Sequence, residues 1–308
     1  MSLAPWTAVP APRIHVNAPL LYIGLFCVLW SFAFVAGKIG VTDCPPLILL
    51  AGRFSLAGIL ILGLSAFRRE AWQLSWRDVA TFVILGVVNN ALYLGLGYTG
   101  LKAVSAGLGG LIVSTNPIFT AALAALLLGE ALTARKVLGL LLGIMGVGFI
   151  VLHRMSVGTD SPQGILFTLA SLASIVAGTI LFKLLAPQGS LWIGNGIQNF
   201  AAGVLLLPIV FTFSDAGEIV PSGRLLAAFA FLVLGGSVLA YFLWLHLLKV
   251  CGATAASAYH FVMPPLGMLF AWLLLGEQMA FRDLLGIVPV AFGIYLVTRP
   301  AAVQGSTA

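Results

Sequence analysis

The chain has 308 residues, 61% of them hydrophobic and 8% charged, with mean hydropathy +1.11 and a formal net charge of +6. A soluble domain carries about a quarter charged residues, so this chain lacks the polar surface to face water and takes the bilayer as its solvent. Barrel strands are short and alternate, whereas the apolar runs here last about 20 residues, which predicts an all-α integral membrane protein with lipid as its surroundings. The basic excess lies in short loops without interleaved aromatics, so no nucleic-acid partner is expected. Cys27, Cys44 and Cys251 show no CxxC spacing and are odd in number, which supports neither a disulfide framework nor a metal site, and no cofactor is expected.

Residues 1–19, rich in Pro and Ala, read as a tail, and the run after them as a first helix rather than a cleaved signal. The first span, 20–39, sets Trp30, Phe34 and Lys38 along one face. The second, 46–67, carries Arg53 beside Phe54 inside the apolar run. In the third, 78–98, Gly86, Asn90, Tyr93 and Gly97 fall on one helical face with Asn89 beside them. That stripe suits a cavity wall, and equally suits close helix packing. The fourth span, 103–128, holds Ser114, Asn116 and Pro117, and the fifth is 135–152.

The sixth span, 163–184, offers Ser171, Ser174 and Gly178, and the seventh, 190–212, offers Asn195, Gln198 and Asn199 to bind substrate or join helices. The eighth, 224–247, lines up Ser237, Tyr241 and Trp244. The ninth, 253–275, has Ser257, Tyr259, His260 and Pro264, and the tenth is 282–298. A proline removes a backbone donor and frees a carbonyl one turn earlier, so Pro117 and Pro264 mark either simple kinks or backbone that a substrate can use. Residues 299–308 read as a second tail.

Two stretches of this order nearly repeat. Pro117, Leu126-Leu127-Leu128-Gly129-Glu130, Arg135 and Gly146 are matched by Pro264, Leu273-Leu274-Leu275-Gly276-Glu277, Arg282 and Gly293, each 147 residues on (264 − 117, 293 − 146). Lys38 and Lys183 form a weaker match at 145 (183 − 38). The repeat divides the chain into halves at 20–152 and 163–298 of five spans each, and an odd number makes the second half enter the membrane inverted. With the N-terminus inside, nine Lys and Arg fall on the inner side, Arg68, Arg69 and Arg77 among them, against five outside, which places both termini in the cytoplasm. Glu130 and Glu277 read either as helix ends with loop ion pairs or as a gate contact between the halves.

The paired proline, LLLGE, arginine and glycine pattern, with Trp30, Lys38 and Arg53-Phe54 in the first half, resembles the EamA-type transporters of the drug/metabolite transporter superfamily. The resemblance covers residues 20–298 and implies export of small metabolites across a bacterial cytoplasmic membrane. Amino-acid exporters of the YddG type within that superfamily suggest neutral or aromatic amino acids as the substrate. The sequence leaves the oligomeric state open, and a monomer is compatible with it.

Polar and aromatic residues inside the spans then give a candidate substrate set: Trp30, Phe34, Asn89, Asn90, Tyr93, Asn116, Ser174, Tyr241, Trp244, Tyr259 and His260. All nine Asp and Glu lie in loops or at span ends, so no midplane carboxylate is present to relay protons, and facilitated export is the expectation. A polytopic membrane enzyme is the competing class, and a non-transporting assembly factor the third. The enzyme would need a mid-span catalytic constellation, and Ser257 with His260 on one helix is not one. Gly95-Leu96-Gly97-Tyr98-Thr99-Gly100 matches GxGxxG by letter only, since no strand precedes it.

Overall fold

The computed structural model describes residues 20–69, 74–129, 133–157, 160–277 and 281–298, and every regular element among them is helical. The two tails and Glu130 lie outside the described residues. In chain order the helices are α1 (Leu20–Asp43), α2 (Pro46–Phe67), α3 (Trp76–Ala103), α4 (Ala106–Leu128), α5 (Ala134–Val157), α6 (Pro162–Leu185), α7 (Leu191–Phe213) and α8 (Gly223–Cys251). Next come α9, in three pieces (Ala253–Ala258, Tyr259–Val262, Met263–Leu275), and α10 (Phe281–Thr298). Seven of them, α1–α4 and α6–α8, are long and apolar enough to cross a membrane, against the ten spans read from the sequence. In α9 the apolar run is interrupted and its continuous part, Pro265–Leu275, is short. Large apolar side chains such as Phe67, Leu126, Phe211 and Leu226 stand exposed on the outside, as lipid contact requires.

Helix ends follow from their capping residues. Ser75, Ser105, Ser161, Ser190 and Ser222 each accept a backbone N–H from the first turn of the helix they precede. The glycine of each LLLGE motif ends its helix in the left-handed region, Gly129 with φ 68° and Gly276 with φ 66°. Their N–H groups reach back to Ala124 and Ala271. The motif is thus repeated because the same left-handed cap is needed twice.

Two helices switch winding midway. α3 is a π-helix over Gly86–Leu92, and α8 over Leu232–Ala240. The wider turn leaves carbonyls without their i+4 donors, and neighbouring polar side chains supply the replacement. Ser174 Oγ donates to the Val88 carbonyl at 2.8 Å and Ser171 Oγ to that of Tyr93 at 2.7 Å. Asn195 Nδ2 donates to the carbonyls of Ser237 at 3.0 Å and Val238 at 3.2 Å. Asn195 therefore joins helices. Asn195→Ala is expected to destabilise the protein by about 1–3 kcal/mol, the usual effect of orphaning buried carbonyls, read as a lower unfolding midpoint in detergent.

α4 also breaks, at Ser114-Thr115, before Asn116 and Pro117 restart it. The hydroxyls of Ser114 and Thr115 donate to the Leu111 and Ile112 carbonyls at 2.6 and 2.7 Å. Each hydroxyl thus satisfies a carbonyl three residues earlier at the break.

The helices pair across the halves: α2 along α7, α5 along α10, α3 along α6, and α1 along α8. In the first pair the contact is reciprocal. A Cβ on Gly58 would come within 2.6 Å of the Phe200 backbone nitrogen, and one on Gly203 within 2.6 Å of that of Ser55. Each partner lies 145 residues from its counterpart (200 − 55, 203 − 58), the offset of Lys38 and Lys183. A contact in which i meets j and j meets i is the signature of a two-fold axis.

Candidate substrate cavity

A small cavity lies where α1, α2, α3 and α8 meet. Trp30, Ala33 and Phe34 of α1 form one wall, Tyr93, Leu94 and Tyr98 of α3 the next. Gly236, Ala240 and Tyr241 of α8 close it, with Arg53 of α2 set into the lining. Tyr93 and Tyr241 each follow directly on a π segment, which re-phases α3 and α8 at the point where their rings meet the cavity. A second, smaller space shares Phe34, Tyr93, Leu94 and Tyr98 and runs on to Leu101 and Gly109.

Arg53 is only 4% exposed. Its Nε donates to Ser237 Oγ and its Nη1 to the Tyr98 hydroxyl, both at 2.8 Å. The guanidinium also lies over the Phe54 and Tyr98 rings, 5.5 and 5.8 Å from their centroids. An arginine at the centre of a membrane helix costs about 2.5–3.5 kcal/mol without compensation, and these neutral groups supply part of it.

Four of the eleven candidate residues line the cavity: Trp30, Phe34, Tyr93 and Tyr241. Trp244 and His260 sit one layer behind. His260 is fully buried, with its ring edge-on to Trp244 (4.8 Å), Trp30 (5.4 Å) and Phe26 (5.5 Å), and its Nδ1 lies 3.2 Å from the Ser257 carbonyl. It therefore braces Trp30 from behind. Tyr259 is half-buried, and its carbonyl accepts the Cys27 thiol at 3.4 Å.

The four remaining candidates are not among the residues that line the cavity. Asn89 fills the space left by the missing side chain of Gly178, and Asn90 is buried beside it in the π segment. Asn116 Oδ1 accepts the Thr120 hydroxyl at 2.7 Å, and Ser174 holds Val88. The glycines of the α3 stripe divide likewise: Gly86 lies against the Gln198 backbone of α7 and Gly97 against Ser171 of α6. Tyr98, Leu94, Ala33, Gly236 and Ala240 are lining residues that the sequence pattern did not single out. Tyr98 stands five residues after Tyr93, out of phase with one α-helical face, and its signal was the cluster of small residues around it.

On the face that carries the ends of α1, α3 and α9, hydrogen bonds tie the helix ends together beside the smaller space. Lys38 Nζ donates to the Leu101 and Val104 carbonyls at 2.7 and 2.6 Å. Glu277 accepts the N–H groups of Ala106 at 2.8 Å and Gly107 at 3.1 Å, where α4 begins and its dipole favours a carboxylate. Asp160 accepts the Ser105 N–H at 2.6 Å. Nearby, Asp43 accepts Arg224 Nε at 2.7 Å and the Ser222 hydroxyl at 2.6 Å. Glu277 thus reaches across from the second half to the first.

This architecture has relatives. The model of the EamA-like transporter family matches residues 17–152 and again 162–299. The "Uncharacterized transporter YoaV" of Bacillus subtilis is 25% identical over 276 residues, covering 88% of this chain and 93% of that protein. The "S-adenosylmethionine/S-adenosylhomocysteine transporter" of Chlamydia muridarum is 28% identical over 299 residues, 93% of this chain and 92% of its own. The "Uncharacterized inner membrane transporter YedA" of Escherichia coli K12 is 25% identical over 277 residues, 88% and 87% of the two chains. A solved crystal structure shares the fold with a TM-score of 0.69 at 19% identity, over 90% of this chain and 96% of that one. Doubly matched and helical throughout its described residues, this multi-pass membrane protein belongs to the EamA-like transporter family.

Proposed function

We propose that this transporter exports neutral or aromatic amino acids through the cavity between its two halves. The observation that carries the reading is the lining itself, in which Trp30, Phe34, Tyr93 and Tyr98 of the first half and Tyr241 of the second enclose one space. Aromatic walls stack on a planar or apolar body, and a site shared by two repeats alternates its access when they rock. The ten helices are read as ten spans in two inverted halves, 20–152 and 163–298, with both termini in the cytoplasm of a bacterium. The reciprocal contact of α2 with α7 supports that symmetry.

In this orientation the clasp of Lys38, Glu277 and Asp160 lies on the outer face and keeps the cavity closed to the exterior. Glu277→Gln keeps the shape of the side chain but weakens its bonds to the α4 N-terminus, since charge-assisted hydrogen bonds are about twice as strong as neutral ones. Labelling of a cysteine placed at Gly109 by a membrane-impermeant thiol reagent is expected to rise several-fold in that variant. Unchanged labelling would remove the clasp from the gating scheme.

The reading is tested by reconstituting the protein in liposomes and following labelled amino acids, with S-adenosylmethionine included because it joins an amino-acid end to a planar purine. Flux of at least one neutral amino acid above protein-free liposomes is expected, and no flux across a broad panel sinks the proposal. Facilitated export further predicts that an imposed pH gradient drives no uphill movement.

A further inference from the structure

We propose that Arg53 reads a substrate carboxylate, so that the cavity favours aromatic monocarboxylates over zwitterions of the same body and rejects the matching amines. This rests on the reading of the cavity as the transport site and narrows its substrate class. A buried guanidinium normally meets a carboxylate, yet among the described residues Arg53 makes no ion pair. Its two hydrogen bonds go to neutral hydroxyls, Ser237 Oγ and Tyr98 OH. Among the described residues Nη2 has no hydrogen-bond partner, and it passes beside Gly236, whose missing Cβ would lie 2.8 Å from it. Arg53 also belongs to the cavity lining.

The consequence is a buried positive charge in the cavity wall with no acidic partner among the described residues. The two hydroxyls and the aromatic faces orient the guanidinium and hold it in the cavity wall. Nη2 and the second N–H of Nη1, the first being given to Tyr98, are left to meet a carboxylate as a fork that a lysine cannot reproduce. Nothing in the lining answers an ammonium group in the same way, because no lining residue is Asp or Glu. An α-ammonium would meet only ring faces and would stand close to the like charge of Arg53. Amino acids are accordingly held by their carboxylate, with the ammonium tolerated rather than recognised.

The test uses one body with four head groups: 3-phenylpropionate, phenylalanine, 3-phenylpropanol and 3-phenylpropylamine. Each is measured by thermal stabilisation of the purified protein and by competition with flux in liposomes. Wild-type protein is expected to bind the propionate about 10- to 100-fold more tightly than the alcohol, with phenylalanine between them and the amine weakest. In Arg53→Gln the propionate is expected to fall to the level of the alcohol, whose own binding stays within about threefold. Arg53→Lys is expected to recover part of the preference, through charge without the fork. If wild-type protein treats all four alike or prefers the amine, the carboxylate assignment is overturned and the transport reading stands. If folded Arg53→Gln keeps the preference, the assignment to Arg53 is overturned. If none of the four binds and no amino acid is moved, both readings fall. Should Arg53→Gln fail to fold, the rank order on wild-type protein decides alone.

Discussion

Tyr93→Ala is expected to reduce flux by at least about 30-fold while leaving a folded, monodisperse protein. Tyr93 borders both the larger cavity and the smaller space leading to the clasp, so its ring meets a substrate at rest and on its way out. Truncating a central aromatic contact typically costs 2 kcal/mol or more, and each 1.36 kcal/mol is tenfold. Tyr93 is buried and borders the cavity on one side, so its truncation enlarges existing space at a cost in stability that the fold check reads out. The matching control is His260→Phe. Its neighbours are the rings of Phe26, Trp30 and Trp244, so an aromatic of similar size continues to brace Trp30 and keeps flux within about threefold. A collapse of flux in His260→Phe would instead point to a chemical role for the imidazole. Both variants are read in the same liposome assay, with size-exclusion profiles to confirm the fold.

Gly58→Leu is expected to abolish folded protein altogether, and Gly58→Ala to lower the unfolding midpoint clearly. The Gly58 Cα position faces the backbone of Phe200, and even one added carbon would stand within 2.7 Å of that residue's Cα. Backbone cannot step aside as a flexible side chain can, so α2 and α7 must separate along their whole length. Overpacking by single carbons commonly costs about 1–3 kcal/mol, and a leucine here adds four against two rigid helices. Gly203→Leu meets the reciprocal obstacle at Ser55 and is expected to behave alike. Gly63, on the same helix, has nothing within 4 Å, so Gly63→Ala is expected to be neutral or slightly stabilising through helix propensity. Unfolding midpoints in detergent separate the three cases. Equal loss at Gly58 and Gly63 would contradict close packing as the cause.

The sequence made the helical character and the positions of the helices legible, because apolar runs of span length and serine or proline starts are local signals. A contact between the halves was one of two readings of Glu277, but its partners, and those of Lys38, were not legible. Lys38 meets Leu101 across 63 positions and Glu277 meets Ala106 across 171, and nothing in the neighbourhood of Glu277 announces that its carboxylate caps α4. The π segments explain the mixed result in α3. Reading that helix at 3.6 residues per turn put Gly86, Asn90, Tyr93 and Gly97 on one wall. The π turn between Gly86 and Leu92 shifts the phase, so Tyr93 reaches the cavity while Gly86 meets α7; Gly97, one α-helical turn beyond Tyr93, lies against α6 and lines the smaller space with it.

Arg53 was visible as a charge inside an apolar run, but its cavity placement depends on Ser237 and Tyr98, 184 and 45 residues away. Ser174 and Asn89 carried the right chemistry for a site and pack between helices, as buried polar groups in a membrane bundle often do, while Asn116 is buried and bonded to Thr120 of its own helix. The 145-residue relation of the early helices was faint by letter. It is clear in the contact of Gly58 and Gly203, since backbone geometry retains what side chains have lost.

The most direct measurement is the position of a bound aromatic carboxylate in a structure of the intact protein. The account predicts its ring between Trp30, Tyr93 and Tyr241, with its carboxylate against the Arg53 guanidinium. A ligand seated away from these residues, or one lying in this cavity with its carboxylate turned from Arg53, would contradict it.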